Sequence, residues 1–267
     1  MPEISFRPVA GLEFADEVAN PVEPRDAATV ILLRDGEAGL EVFLQRRVTA
    51  MAFAAGMTVF PGGGVDQRDA DASVAWAGPP AADWAGWFRA ATESAARALV
   101  CAAVRETFEE SGVLLAGTAE DVVSDARRYA HAREALVARE LSLAGFLAEH
   151  GLTLRSDLLR PWAHWITPLQ EKCRYDTRFF VAVLPEGQHA DGATTEAESS
   201  GWQRPQDALA DADEGRSTLM PPTRHALHEL AGFGTTTEAL ATEREIKVIL
   251  PRLVRDGDKV RLIMGDA

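Results

Sequence analysis

Residues 102–113 read AAVRETFEESGV. Glu106, Glu109 and Glu110 stand three and four positions apart, so on a helix turning about 100° per residue their carboxylates fall within an arc of about 100°. Arg105 precedes Glu109 by four positions and can pair with it. Like charges at this spacing destabilise a helix by about 0.2–0.5 kcal/mol per pair, and the C-terminal end of a helix disfavours anions further. The preceding turn, ALVCAAV, is apolar nearly all round, the mark of a buried helix. Three glutamates on a buried helix make chemical sense if divalent cations sit among them, because hard cations take oxygen ligands. Taken alone, such a triplet is more often a charged turn facing water, so its surroundings decide.

The elements that would position these carboxylates can be read along the chain. Strands are expected over 28–34 and 40–46, joined by Asp35-Gly36-Glu37-Ala38-Gly39, and a third apolar run, 57–60, stops at Pro61 and three glycines. Residues 66–82 read as irregular, followed by a short helix that Asp83 could cap and that carries Trp84, Trp87 and Phe88. Ser94–Ser111 is the clearest helix, free of Gly and Pro, with Gly112 as its stop. A short strand, 113–115, and a helical segment, 119–150, follow. Further strands are expected over 162–167, 177–184, 197–203, 247–253 and 259–264, with a helix over 224–230 and a hairpin turn at Asp256-Gly257. Strands flanking central helices argue for an α/β or α+β domain.

RETFEESGV resembles the second half of the Nudix box: G, five residues, E, seven residues, then REUXEEXGU, with U aliphatic. Arg105, Glu106, Glu109, Glu110, Gly112 and Val113 fit, with Thr107 at the first U position. Phe60-Pro61-Gly62-Gly63 resembles the PGG that precedes the box in many members. Gly63 and Arg105 are 42 positions apart, against 14 in the pattern, so about 28 residues are inserted. Counted back eight positions from Arg105, the place of the box's first glutamate falls on Arg97. A split box, with GMTVFPGGGVD, PWAHWITP and RYDTRFF, is similar to the coenzyme A and acyl-CoA diphosphatase branch of the mammalian peroxisomal type. Gly56 to Gly63 also matches the end of a coenzyme A signature in a sister branch, although Met51 stands where that signature carries an arginine.

The resemblance implies a Nudix-type α/β/α sandwich with a mixed central sheet. It implies one domain spanning residues 1–267, with an insertion at 66–92 inside the box and a helical insertion at 119–160 after it. Glu106 and Glu110 would be the primary ligands of Mg²⁺ or Mn²⁺, with Glu109 as a third and the carbonyl of Gly62 or Gly63 as an extra one. Arg105 would orient Glu109. A further carboxylate is expected ahead of Trp202, where Glu196 and Glu198 both qualify as ligand or base. Arg46, Arg47, Arg174 and Arg178 suit phosphate contacts, since arginine binds such groups with two donors at once. Gly63 and Tyr175 join them as substrate-side candidates.

Composition limits the alternatives. With 27 basic against 41 acidic residues in 267, the net charge of −14 opposes binding to nucleic acid or an anionic membrane. Two cysteines, Cys101 and Cys173, build neither a disulfide framework nor a zinc cage, and a reducing, cytoplasmic location is expected. His225 and His228 could share a ligand, but no third candidate lies nearby. No G-x-S-x-G, Walker loop or G-x-G-x-x-G occurs. The expected activity is therefore metal-dependent cleavage of the diphosphate in coenzyme A or an acyl-CoA, giving 3′,5′-ADP and (acyl-)4′-phosphopantetheine. Another nucleoside diphosphate derivative, such as ADP-ribose or a dinucleoside polyphosphate, is the nearest alternative substrate. A nucleotide sensor without turnover is the alternative from another class. Homodimerisation stays open.

Overall fold

The structure is a computed structural model that describes residues 3–6, 18–49, 54–256 and 259–264. Met51, Gly257 and most of the acidic N-terminal stretch lie outside the described residues. The eight strands of the main sheet are β1 (Arg25–Gly36), β2 (Gly39–Arg47), β3 (Thr58–Val59), β4 (Gly62–Gly64), β5 (Leu159–Ile166), β6 (Tyr175–Val183), β7 (Ala197–Gln203) and β8 (Val248–Ile249). Their order is β7-β2-β1-β6-β5-β8, with β3 paired to β2 and β4 paired to β1. The β1–β6 and β5–β8 pairs are parallel and the rest antiparallel, so the sheet is mixed, as expected.

Alternation along the central strands builds a core on each face. From β1, Ala28, Val30 and Leu32 point to one side, where they meet Phe180 and Ala182 of β6 and the helices α1 (Ala81–Phe88), α2 (Glu93–Ser111), α3 (Ala130–Val137) and α4 (Leu143–Glu149). Ile31 and Leu33 point to the other side, with Phe179 and Val181, against α5 (Pro205–Asp213), α6 (Pro221–Leu230) and α7 (Thr236–Ala241). The result is the layered α/β/α arrangement. Burying each large apolar side chain contributes about 1.5–3 kcal/mol.

α2 starts where the Thr92 hydroxyl accepts from Ala95 N and ends at Gly112, whose φ of 72° is the left-handed stop glycine adopts readily. Thr107, fully buried at an aliphatic position, donates its hydroxyl to Ala103 O (2.7 Å), which satisfies the polar group inside the core.

Several local expectations are corrected. α1 begins at Ala81 with Pro80 at its N-cap, and Asp83 lies within its first turn instead of capping it. Residues 113–115 form no strand: Gln188 donates to Leu114 O and accepts from Leu114 N, taking the place of a neighbouring strand. The strand begins one residue later, at Ala116–Gly117. The segment 119–150 is broken by Arg139, at φ 60°, and by a new N-cap at Ser142. Pro251, which has no N–H, separates Val248–Ile249 from the strand Arg252–Asp256. That second strand pairs with Lys259–Ile263, which pairs in turn with Glu3–Phe6.

The segment between the glycines and α2 packs against the region after α2. Trp76–Ala77 lies parallel to Thr153–Arg155, which pairs antiparallel with Ala116–Gly117. A short 3₁₀ turn, Gln67–Ala70, carries a reciprocal cap between Asp66 and Asp69 and contacts both α2 and α4. Among the described residues no helix is long and apolar enough to cross a membrane.

Candidate active site

The C-terminal turns of α2 run beside the glycine strand β4. Gly62 N donates to Glu110 Oε2 (2.9 Å), fixing one carboxylate oxygen against the sheet. A Cβ on Gly63 would stand 2.6 Å from the Glu106 carboxylate, so only glycine lets that side chain reach the backbone. A Cβ on Gly62 would stand 2.5 Å from Ala28 O, whereas one on Gly64 would meet nothing within 4 Å. Backbone contact therefore requires glycine at 62, and a side chain at 63 would push the Glu106 carboxylate off the strand.

Arg105 is the hub. Its Nε and Nη2 donate to Asp69 Oδ1 and Oδ2, each at 2.9 Å, in a two-pronged buried pair. Its Nη1 donates to Glu106 Oε1 (2.7 Å) and Glu109 Oε1 (3.3 Å), and Nη2 also reaches Gly64 O (3.0 Å). One guanidinium thus joins two glutamates of the helix, the glycine strand and the 3₁₀ turn.

One cation does not balance this many buried carboxylates. Burial pushes Glu106 up to about 7, against the pull of Arg105. Burial also raises Glu110 well above the usual carboxylate range, with the Glu106 charge adding to the effect and the Gly62 N–H opposing it. Glu109 is also raised, by burial first. Among the described residues no three carboxylate, imidazole or thiolate side chains converge closely enough to cage a cation by themselves. All-oxygen donors few in number, as Glu106, Glu109 and Glu110 are, suit Mg²⁺ or Mn²⁺ only in the company of waters and substrate phosphates. The glycine cradle and surplus of buried negative charge fit the same ions.

The neighbouring edge strands bring further charges. Arg47 on β2 pairs with Glu196 (3.4 Å), and Arg46 with Glu198 (3.7 Å), across the β2–β7 ladder. Glu196 and Arg47 both act on Glu110, in opposite directions, whereas Glu198 is not among the main influences on it. Of the two candidates, Glu196 is the one whose charge is felt at Glu110. Gln45, one turn of the pleat earlier, donates to Glu110 O (3.4 Å). Tyr175 is half-buried opposite Arg25; burial, then its hydrogen bond with Cys173, raises its phenol, and the Arg25 and Arg47 charges oppose the rise.

Other candidates are engaged elsewhere. Arg174 is buried and donates to Thr167 O and Val22 O. Arg178 is buried between Asp26 and Asp176, and Asp176 also meets His164. His225 lies beside Glu229 (3.8 Å) and against Trp165. Cys101 is buried in α2 and its thiol is pushed up to about 12 by burial, as befits a core residue.

Asp69 was not foreseen. Counted back from Arg105, the box acid falls on Arg97, but Arg97 stacks over Trp76 (4.9 Å) away from this network. Counted forward from Gly63, the sixth position is Asp69. The insertion therefore lies between the box acid and Arg105, and the aspartate still reaches the arginine.

Comparison with known proteins bears on the family and the fold. The profile of the NUDT19 Nudix domain matches residues 88–230. The nudix hydrolase 7 of Caenorhabditis elegans is 27% identical over 221 residues, which are 78% of this chain and 60% of that protein. The acyl-coenzyme A diphosphatase NUDT19 of Xenopus laevis is 27% identical over 154 residues, which are 52% of this chain and 40% of that protein. The chain thus spans about 60% and 40% of the lengths of these two curated relatives. A crystal structure of a Nudix hydrolase from Alicyclobacillus acidocaldarius superposes with a TM-score of 0.69 at 27% identity, covering 84% of this chain and 98% of that one.

Proposed function

The chain belongs to the Nudix hydrolases, in the family of the NUDT19 Nudix domain, and from that premise we propose that it cleaves the diphosphate of coenzyme A or an acyl-CoA in a divalent-metal-dependent reaction. Its products would be 3′,5′-ADP and (acyl-)4′-phosphopantetheine. The observation that carries the reading is the convergence of Glu106 and Glu110 on the glycine strand at Gly62 and Gly63. The coenzyme A substrate draws on the split box and on the likeness to the Xenopus laevis acyl-CoA diphosphatase.

In this reading Glu106, Glu109 and Glu110 hold the Mg²⁺ or Mn²⁺ ions, with the backbone of Gly62 or Gly63 beside them. When bound, such ions neutralise diphosphate oxygens and acidify water. Arg105 keeps Glu106 and Glu109 apart from each other's charge and aimed at the glycine strand. Glu196 would join these glutamates as a further ligand from the neighbouring loop and serve as the base that takes the proton of the attacking water. Arg47 binds a phosphate oxygen, its guanidinium passing from Glu196 to the ligand. Arg46 and Tyr175 extend the binding surface along the same edge.

The test is turnover with coenzyme A, acetyl-CoA, a long-chain acyl-CoA, ADP-ribose, NADH and a diadenosine polyphosphate, in Mg²⁺ and Mn²⁺ separately. Release of 3′,5′-ADP from the CoA substrates alone, abolished in Glu110→Gln, is the expected result. Cleavage of ADP-ribose or a dinucleotide instead removes the coenzyme A assignment. No product from any of them, with nucleotide binding retained, favours a sensor.

A further inference from the structure

We propose that Arg133, supplied by the helical segment after α2, is a positioning residue that sets the spacing between the carboxylates of α2 and Glu196. The proposal rests on the metal-site reading above. Arg133 lies on α3, and its side chain is mostly buried. Its Nε donates to Glu109 O (3.0 Å), a carbonyl in the last turn of α2. Its Nη1 donates to both carboxylate oxygens of Asp191, each at 2.9 Å. Asp191 closes the triangle: its N–H donates to Ser111 O (2.8 Å), and its Oδ1 accepts from Ala193 N (3.0 Å). Five residues beyond Asp191 stands Glu196, and the far end of this loop is tied where Val48 N donates to Glu196 O (3.0 Å).

The charge arrangement explains why an arginine is needed here. The last two turns of α2 carry three glutamates, two of them in the final turn where the helix macrodipole already disfavours negative charge. A guanidinium hydrogen-bonded to the Glu109 carbonyl offsets both, and a planar fork holds the helix end and the loop in one fixed geometry, which the flexible point charge of a lysine does not impose. Gly112 makes room: a Cβ there would stand 2.8 Å from Arg133 Nη1 and 2.9 Å from Asp191 Oδ2. That glycine therefore serves the helix stop and the arginine's approach together. The segment after the box thus reaches back to fix the geometry between the two sources of carboxylate, Glu109 and Glu110 on one side and Glu196 on the other.

Mn²⁺ binding without substrate, followed by the electron paramagnetic resonance of the free ion, tests this. Arg133→Ala, Arg133→Lys and Asp191→Asn should each weaken Mn²⁺ affinity by about tenfold, as loss of a partner behind a ligand does. In turnover, kcat should fall while KM for the substrate stays within about twofold. Glu196→Gln should weaken Mn²⁺ binding in the wild-type background and add little in Arg133→Ala, because Glu196 is already displaced. If the Glu196→Gln and Arg133→Ala losses simply multiply, or Arg133→Lys and Asp191→Asn bind Mn²⁺ as wild type does, the proposal is wrong while the metal site stands. Wild-type protein that binds no Mn²⁺ overturns both this proposal and the functional reading beneath it.

Discussion

Asp69 and Arg105, 36 positions apart in the chain, meet in a two-pronged buried ion pair with both contacts at 2.9 Å. The residues between them fold into α1 and the first turns of α2, packed in the core, so the box is interrupted in sequence and closed in space. Removing one partner of a buried pair leaves the other charge uncompensated, at a cost of about 3–5 kcal/mol. Asp69→Ala should lose stability on that scale in urea unfolding, and turnover should fall because Arg105 swings toward Glu106 and Glu109. Asp69→Glu should recover most of both. Wild-type stability in Asp69→Ala would refute the pair's importance.

The glycines predict a contrast between neighbours. Gly63→Ala places a methyl 2.6 Å from the Glu106 carboxylate, whereas Gly64→Ala places one in open space. Gly63→Ala should therefore weaken divalent-metal activation at least tenfold, about the effect expected when a ligand is displaced. Gly64→Ala should behave as wild type. Equal metal titration curves for the two variants would contradict this account of the cradle.

The raised glutamates give the metal-free protein an unusual pH dependence. A carboxyl held up to about 7 in the folded chain binds a proton there that the unfolded chain, titrating near 4.5, has already released. Stability without metal should therefore fall as pH rises from about 4.5 to 8, by roughly 3 kcal/mol for Glu106 alone. Glu106→Gln should flatten that slope and raise the melting temperature at pH 8 in chelator. Saturating Mn²⁺ should flatten the wild-type slope as well. A melting temperature that rises with pH in chelator would count against this electrostatic picture.

Two arginines separate binding from architecture. Arg47 lies mostly buried beside Glu196, in reach of the glutamate cluster. Arg174 is tied to the carbonyls of Thr167 and Val22. Arg47→Ala should raise KM several-fold with little change in melting temperature. Arg174→Ala should lower the melting temperature, with KM nearly unchanged in the folded fraction. The reverse pattern would reassign the phosphate contact.

The features legible in the sequence were those with a local signature. α2 was expected from Ser94 and runs from Glu93, because its caps and apolar run are contiguous; β7 coincides with its expected span, 197–203. The cluster of Glu106, Glu109 and Glu110 follows from helical spacing alone. Asp69, Gln188 and Arg133 escaped because each acts on residues 24 to 74 positions away, through bonds that leave no periodic trace. For Asp69 a signal existed: it appears when the box is counted forward from Gly63 instead of back from Arg105. α5 and α7 were missed because they are short and flanked by polar stretches, and α7 depends on a Thr235 cap.

The pairing of Trp76 with Leu154 has a consequence for the order of events during folding. It is a parallel contact, confirmed by Leu154 N donating to Ala75 O (2.8 Å), and it closes a long loop that contains all of α2. On a ribosome, α2 is complete about forty residues before Thr153–Arg155 exists to latch the segment ahead of it. Contacts between such distant segments form slowly, since loop entropy is lost before the contact repays it. Protection of the Leu154 amide should consequently lag behind that of the β1–β2 hairpin in a pulsed hydrogen-exchange refolding experiment. A nascent chain stalled before residue 153 would then carry α2 without the strand that latches the segment ahead of it.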